Sequence, residues 1–300
     1  MYSIPILFII FNRPETTAQV FEKIKAIKPS RLYVGADGPR DGRPDDTFRC
    51  AESRRIVEQI DWPCELKTLY RDKNQGCKIA VSEAITWFFD QEEYGVILED
   101  DCLPDRSFFS FCEELLIRYK DDERIGHIGG NCFLPGIIND GQSYDFCSMS
   151  HIWGWASWRR VWKNYDVRFA YWDEALKDKN KRKSLFKNFR EEIYFTSFIS
   201  DTLKGKIDTW DVQYLYMLRT QNQLAIYPSV NLVANIGLLS SDATNTVSGK
   251  ARKLYVPSTE IQFPLNHPSR LLPNYTIDRL TFLRKFFSCK RLLRYIMRQY

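Results

Sequence analysis

Three adjacent carboxylates, Glu99-Asp100-Asp101, follow directly on the apolar run Gly95-Val96-Ile97-Leu98. A buried strand has no reason of its own to finish on three acids, whose mutual repulsion is costly unless a cation or a set of donors neutralises it. Oxygen ligands of this kind suit a hard divalent ion, Mg²⁺ or Mn²⁺, often one shared with phosphates. In open α/β sheets the carboxyl ends of strands are also where ligands bind. A solvated acidic turn or a helix-capping cluster is the plainer explanation of the same residues.

Polar residues also follow the two preceding apolar strands. Phe11-Asn12-Arg13-Pro14 closes the first and Ala36-Asp37-Gly38 the second. At adjacent strand ends such side chains can hold a base and ribose; Asn12 and Asp37 equally suit the capping of a helix or a turn. The first strand is not followed by GxGxxG, and GxxxxGK[ST] occurs nowhere in the chain. Neither dinucleotide binding nor P-loop phosphoryl transfer is therefore supported.

The elements that position these residues alternate between strand and helix. Ile4 to Phe11 is a continuous apolar run, as expected of a strand buried on both faces. Pro14 suits the first turn of a helix in which Thr17, Val20, Ile24 and Ile27 recur at helical spacing. Strands follow at Arg31–Ala36, Glu65–Tyr70 and Val96–Leu98, with helices near Phe48–Ile60 and Gly76–Phe89 between them. Pro104-Asp105 opens a helix with Phe108, Phe109, Phe111, Cys112, Leu115 and Leu116 on a wide apolar face, and Ile125–Gly129 is another strand. This alternation predicts an α/β fold with a Rossmann-like, mostly parallel central sheet. From Asn131 to Ser150 the pattern weakens to loops. A charged helix is expected near Asp173–Phe195, then short strands at Leu224–Tyr227 and Asn231–Asn235, and a linker from Asn266 to Asn274.

Composition narrows the class. Three hundred residues with 44% hydrophobic content can bury a substantial core. A net charge of +5 is too small to argue for nucleic acid. None of the eight cysteines forms a CxxC pair, and the N-terminus Met1-Tyr2-Ser3-Ile4-Pro5 lacks a signal peptide's basic region and cleavage site, so the chain reads as cytosolic with reduced thiols.

Several segments together resemble a GT-A glycosyltransferase. They are the opening strand with Asn12-Arg13-Pro14, the Asp37-Gly38 loop, Asn74-Gln75-Gly76-Cys77-Lys78, and the acidic triplet with Pro104 and Phe108-Phe109. The later runs His151-Ile152-Trp153-Gly154-Trp155-Ala156-Ser157-Trp158-Arg159, Asp208-Thr209-Trp210-Asp211 and Asn231 to Gly237 fit the same family. More narrowly, the chain is similar to bacterial sugar-nucleotide transferases distantly related to Golgi N-acetylglucosaminyltransferase I, over about residues 4–246. The resemblance implies that Asp101 holds a Mn²⁺ or Mg²⁺ that bridges the diphosphate of a nucleotide-sugar donor, UDP-linked. It also implies that Glu99 and Asp100 contact the ribose, the sugar or the metal's waters. Phe11, Asn12, Arg13 and Asp37 would hold the uridine, with Lys78 near the diphosphate. Asp211 is the expected general base of an inverting transfer to a glycan or lipid-linked acceptor, with Asp208 as its rival. The simpler reading is that one of these two caps a helix starting at Thr209 or Trp210. The family pattern has a histidine where Asn245 stands, which puts a second metal ligand in doubt.

His151, Trp153, Trp155 and Trp210 are expected to wall the acceptor or donor sugar, although Trp158 and Trp162, spaced as on one helical face, point to a core role for some of these rings. The expected division is a catalytic domain over 1–265, with a nucleotide-sugar half over 1–130 and an acceptor half over 131–265. A linker and basic helix follow over 266–300. In that helix Phe282, Phe286, Cys289, Leu293 and Ile296 oppose Arg284, Arg291, Arg294 and Arg298. Such a helix suits either an interfacial anchor on the inner face of the cell membrane or docking onto the catalytic domain. Two other functions compete: a catalytically inactive sugar-nucleotide- or glycan-binding homologue, and a sugar-nucleotide nucleotidyltransferase. The latter normally carries a glycine- and basic-rich loop after the first strand, which Phe11-Asn12-Arg13-Pro14 does not match.

Overall fold

A computed structural model of the chain describes residues 1–138, 141–239 and 251–286. The first half follows the expected alternation: β1 (Ile6–Ile10), α1 (Pro14–Ile27), β2 (Arg31–Ala36), α2 (Pro44–Val57), β3 (Glu65–Tyr70), α3 (Cys77–Gln91) and β4 (Tyr94–Glu99). Proline stands at the first turn of both α1 and α2, where its missing N–H costs nothing. Next come β5 (Cys102–Pro104), α4 (Arg106–Arg118), β6 (Ile125–Gly129), β7 (Tyr144–Cys147) and β8 (Trp155–Trp158). The rest is α5 (Arg159–Trp162), α6 (Trp172–Lys177), α7 (Lys179–Leu185), α8 (Phe189–Leu203), α9 (Asp211–Thr220), β9 (Leu224–Pro228), β10 (Val233–Asn235) and α10 (Tyr275–Thr281).

Eight strands form one sheet in the order β3-β2-β1-β4-β8-β6-β9-β7. Its pairings are parallel except where β8 and β7 meet their neighbours, so the fold is α/β with a mostly parallel central sheet flanked by helices. The chain winds from β1 outward to β2 and β3, then returns to place β4 on the other side of β1. That reversal opens a crevice at the carboxyl ends of β1 and β4, the position where open α/β sheets bind ligands. A separate antiparallel pair, β10 with β5, sets Asn235 opposite Cys102 beside this crevice.

Burial follows the patterning. All five residues of β1 are buried, and α4 sinks Phe108, Phe109, Phe111, Cys112, Leu115 and Leu116 below an N-cap in which Asp105 accepts the Ser107 N–H at 2.8 Å. A second core gathers Cys147, Phe195, Ile199, Leu215, Tyr227, Ile277 and Phe282.

Four expectations change. Trp158 is not on a helix: Trp155–Trp158 is the fully buried strand β8, antiparallel to β4 and β6, and α5 begins only at Arg159. The four-residue spacing of Trp158 and Trp162 spans a strand-to-helix junction. Residues 131–150 are not all loop, because Tyr144–Cys147 pairs with β9 at the sheet edge. The charged stretch Asp173–Phe195 is three helices rather than one. The Asp178 side chain accepts the N–H groups of Asn180 and Lys181 and so starts α7, while Asn188 caps α8. The segment from Asn266 to Asn274 is not a free linker. Asn266 is fastened to Ser143 through both backbone and side chain, His267 meets Tyr144 and Glu114, and Pro273 bridges to Phe146.

The C-terminal segment docks on the protein as far as it is described. Ile277 and Phe282 enter the second core, and a π-helical turn follows over Phe282–Phe286. Cys289, Arg291, Leu293, Arg294, Ile296 and Arg298 lie outside the described residues, as does Asn245. No helix among the described residues is long and apolar enough to cross a membrane. Among the same residues Cys50, Cys64, Cys77, Cys102, Cys112, Cys132 and Cys147 are free thiols.

Candidate active site

The end of β4 turns back toward the start of α1. Asp100 is buried and accepts the Phe11 N–H at 3.1 Å, with Arg13 Nη1 at 3.5 Å on its other oxygen. Arg13 Nη1 donates to Asp101 Oδ2 at 2.8 Å. From the other side β10 delivers Asn235, whose Nδ2 lies 3.5 Å from Asp101 Oδ1, and Ile236 N–H donates to the Asp101 carbonyl at 2.8 Å. Only glycine fits next: a Cβ at Gly237 would lie 2.3 Å from Asp101 Oδ2. Asn235 and Gly237 have no role that their residue types reveal, although both fall in the Asn231 to Gly237 run that carries part of the family resemblance.

Burial and the neighbouring acids Asp101 and Asp100 push the Glu99 carboxyl up to about 8, and Asp211 adds to the rise. Burial likewise raises Asp100 to about 7 against the pull of Arg13. Burial pulls the Arg13 guanidinium down, and Asp100 and Asp101 more than offset it. Burial and mutual repulsion thus disfavour the ionised acids more than one guanidinium offsets, and a cation would favour their ionised forms. The oxygen-only donor set fits Mn²⁺ or Mg²⁺. Among the described residues no three His, Cys, Asp or Glu side chains form a metal cage, so such an ion would be held by one carboxylate together with a ligand's phosphates.

Asp37 organises the loop opposite. Its Oδ1 accepts the N–H groups of Gly38 and Gln75 at 2.9 and 3.0 Å, and its Oδ2 accepts Asn74 Nδ2 at 2.8 Å and Gly76 N–H at 3.2 Å. Burial raises this carboxyl and the backbone amides pull against it. With both oxygens engaged, Asp37 ties the β3–α3 loop, and hence Lys78 in the first turn of α3, to the end of β2. Asn12 is tied similarly, donating to Asp46 at 2.7 Å. Asp46 also takes a two-pronged contact from Arg40, which lies over the Phe11 ring at 5.4 Å. The Arg40 hydrogen bonds bring the Asp46 carboxyl down to about 2. Neither Arg40 nor Asp46 stands out in the sequence; they sit in and after the turn-rich loop that follows β2.

Asp208 and Asp211 play different parts. Asp208 caps α3, not a helix of its own: it accepts the N–H groups of Cys77 and Lys78 at 2.7 and 3.1 Å. Gly76 makes room for it, with φ +80° and a would-be Cβ 2.6 Å from Asp208 Oδ2. Asp211 is the first residue of α9 and accepts from the Thr209 hydroxyl. Burial raises the Cys77 thiol, and the charges of Glu99, Asp208 and Asp211 add to the rise.

The expected aromatic wall narrows to Trp153. Trp155 and Trp210 are 0% and 2% exposed and stack on each other at 5.8 Å, and His151 is 1% exposed. Trp155 is core because β8 is a central strand, and Trp210 packs on it. Trp153 remains half-buried, edge-on to Phe133 at 5.0 Å.

His127, stacked on Trp155 at 5.4 Å, donates from Nε2 to the His151 carbonyl at 3.0 Å, and burial holds it down at about 3. The folded chain thus refuses a proton that the unfolded chain accepts near its ordinary value of about 6.5. This histidine costs stability as pH falls from about 6.5 toward 3. The raised carboxyls of Glu99 and Asp100 act in the opposite sense. A difference measurement isolates the histidine: the stability gap between wild type and His127→Gln should narrow by about 1.6 kcal/mol between pH 6.5 and 5. Urea titrations at the two pH values check it.

No family model matches the chain, and no curated protein matches it. Among solved structures it is similar to HddC from Yersinia pseudotuberculosis at 8% identity and a TM-score of 0.33, covering 56% of this chain and 83% of that one. It is similar to 4-diphosphocytidyl-2C-methyl-D-erythritol synthase from Anaerococcus prevotii DSM 20548 at 11% and 0.34, covering 67% and 85%. For apo UDP-glucose pyrophosphorylase the values are 7% and 0.38, covering 78% and 93%. At these scores the likeness is coarse, and the description of the fold rests on the sheet order and strand register.

Proposed function

We propose that the chain is a metal-dependent glycosyltransferase that moves a sugar from a UDP-linked donor to a hydroxyl of a glycan or lipid-linked acceptor, with inversion. The observation that supports it is the Arg13 guanidinium bonded to Asp101 and set against Asp100 at the carboxyl ends of β1 and β4, next to Glu99. In this reading Asp101 holds Mn²⁺ or Mg²⁺, which when bound neutralises charge on the leaving diphosphate. Arg13 adds a fixed positive charge there. Phe11, Asn12 and Arg40 frame the base, and Lys78 lies on the diphosphate side. The acceptor oxygen forms a bond to the anomeric carbon as the bond to the β-phosphate oxygen breaks and its electron pair leaves with UDP. The hydroxyl proton passes to Asp211.

Calorimetry and thermal denaturation with UDP and Mn²⁺ test the donor end. UDP at a hundred times its Kd should stabilise the fold by about 2.7 kcal/mol, and only with the divalent ion present. No stabilisation by any nucleoside diphosphate with Mn²⁺ or Mg²⁺ would end this reading and that of an inactive homologue alike. Pyrophosphate release from a nucleoside triphosphate and a sugar 1-phosphate, without UDP release from UDP-sugars, would move the chain to the nucleotidyltransferases.

A further inference from the structure

The central sheet ends on β7 at one side and on β3 at the other. The β7 edge is closed: Pro273 bridges to Phe146, and the Asn274 N–H donates to the Phe146 carbonyl at 2.7 Å. Among the described residues nothing pairs with the outer side of β3. Two hydrogen bonds show which backbone groups lie on that side. The Glu65 N–H donates to the Ser30 carbonyl at 2.8 Å and the Arg71 N–H to that of Ala36 at 3.0 Å. The odd-numbered residues of β3 therefore turn their N–H and C=O toward β2, its parallel neighbour. Leu66, Thr68 and Tyr70 turn theirs outward, and such a row is a template for another strand.

The side chains of these three residues lie on one face of the strand, and all three are exposed. Leu66 is 40% exposed and Tyr70 37%, two large apolar groups on an open edge. The usual protections of an edge are missing: Glu65–Tyr70 contains no proline, and its register with β2 runs without a bulge. Its two charges belong to the opposite face. They are bonded to each other, Lys67 Nζ lying 3.2 Å from Glu65 Oε1 and 5.2 Å from the Tyr33 ring centre.

We propose that β3 is a dimerisation edge, paired antiparallel with β3 of a second copy about a two-fold axis at Thr68. Only outward-facing residues can exchange hydrogen bonds, so the axis must pass through a residue and not between two. An axis at Lys67 would set two ammonium groups against each other. An axis at Leu66 would leave Thr68 and Tyr70 facing residues that precede the strand, and an axis at Leu69 fails in the same way at the other end. At Thr68 the whole strand is used. Leu66 then lies opposite the second copy's Tyr70, and Glu65 opposite its Arg71, so apolar meets apolar and acid meets base, each twice by symmetry. The two sheets become one. This interface is independent of the transferase reading.

Sedimentation equilibrium of the full chain tests it, over a roughly hundredfold range of concentration up to about 100 μM. The mass should rise toward twice the 35.5 kDa of one chain. Thr68→Pro removes an outward N–H and no bond to β2, a position where an edge strand tolerates proline, so it should abolish the dimer and keep the fold. Leu66→Glu and Tyr70→Lys should each raise the dimer Kd by about tenfold or more, because the pair occurs twice. Combined, they should restore most of the loss, since the introduced charges face each other only across the two-fold axis. If Thr68→Pro fails to fold, this charge pair decides. A chain that stays monomeric throughout the range overturns the proposal. So does a dimer that Thr68→Pro and Leu66→Glu leave intact, which another surface would be holding. A double variant no tighter than the singles refutes the pairing about Thr68.

Discussion

Asp211→Asn is expected to lower the rate of sugar transfer by about a thousandfold while UDP and Mn²⁺ still stabilise the fold as they do in wild type. Positioned proton transfer contributes roughly 10² to 10⁴ in rate, and an amide in place of the carboxylate keeps the shape but cannot take the acceptor proton. Asp211 is the first residue of α9 rather than its cap; it is hydrogen-bonded to the Thr209 hydroxyl and lines a small pocket with Ile152 and Leu215. Asp208 gives the contrasting result. It binds two N–H groups at the start of α3 across more than 120 residues of chain, so Asp208→Ala should cost about 1 kcal/mol of stability. Its effect on rate should be at most tenfold, through a loosened β3–α3 loop. UDP release with and without acceptor, beside thermal melts of both variants, separates a chemical role from a capping role. A thousandfold loss in Asp208→Ala with an unchanged Asp211→Asn would exchange the two assignments.

The parts of the fold that the sequence revealed are those in which local pattern and tertiary role agree. Ile6–Ile10 is apolar throughout because it lies in the middle of a sheet, and Asp105 reads as a helix start because it caps α4. Where a residue serves two contexts the pattern misleads. Trp158 ends a buried strand and precedes a helix, so its spacing to Trp162 imitates one helical face. The β7 strand is four residues at a sheet edge with Asp145 in its middle, too short and too polar to declare a period. In the site, the acids were visible as an improbable concentration of charge at a strand end. Their division of labour was not, because it depends on contacts across long sequence separations. Asp100 is engaged by the Phe11 amide, Asp37 by the Gln75 loop and Asp208 by α3. Each of these contacts is with a backbone amide, whereas Asp101 is met by the side chains of Arg13 and Asn235.

Asp101→Asn should abolish the manganese-dependent part of UDP stabilisation and raise the Kd of UDP with Mn²⁺ by a hundredfold or more. Of the three acids at the end of β4, Asp100 is buried and engaged by the Phe11 amide, and Glu99 sits among like charges with Asp211 nearby. Asp101 keeps more solvent contact, its side chain 17% exposed against 9% for Asp100. Arg13 fixes one oxygen, Asn235 approaches the other, and Gly237 leaves no side chain between this carboxylate and β10. Divalent ions shared with phosphates often take only one or two protein carboxylates, so losing a single anionic oxygen removes most of the protein's share. An amide at the same position still accepts from Arg13, so the fold should survive, with a melting temperature in the absence of nucleotide close to that of wild type. Asp100→Asn provides the control. Its neighbours occupy it, so the manganese dependence should persist even where stability changes. Calorimetric titration of UDP at several Mn²⁺ concentrations distinguishes the two acids. Retention of the full manganese effect in Asp101→Asn, with its loss in Asp100→Asn, would move the ion from the surface of the crevice into its floor.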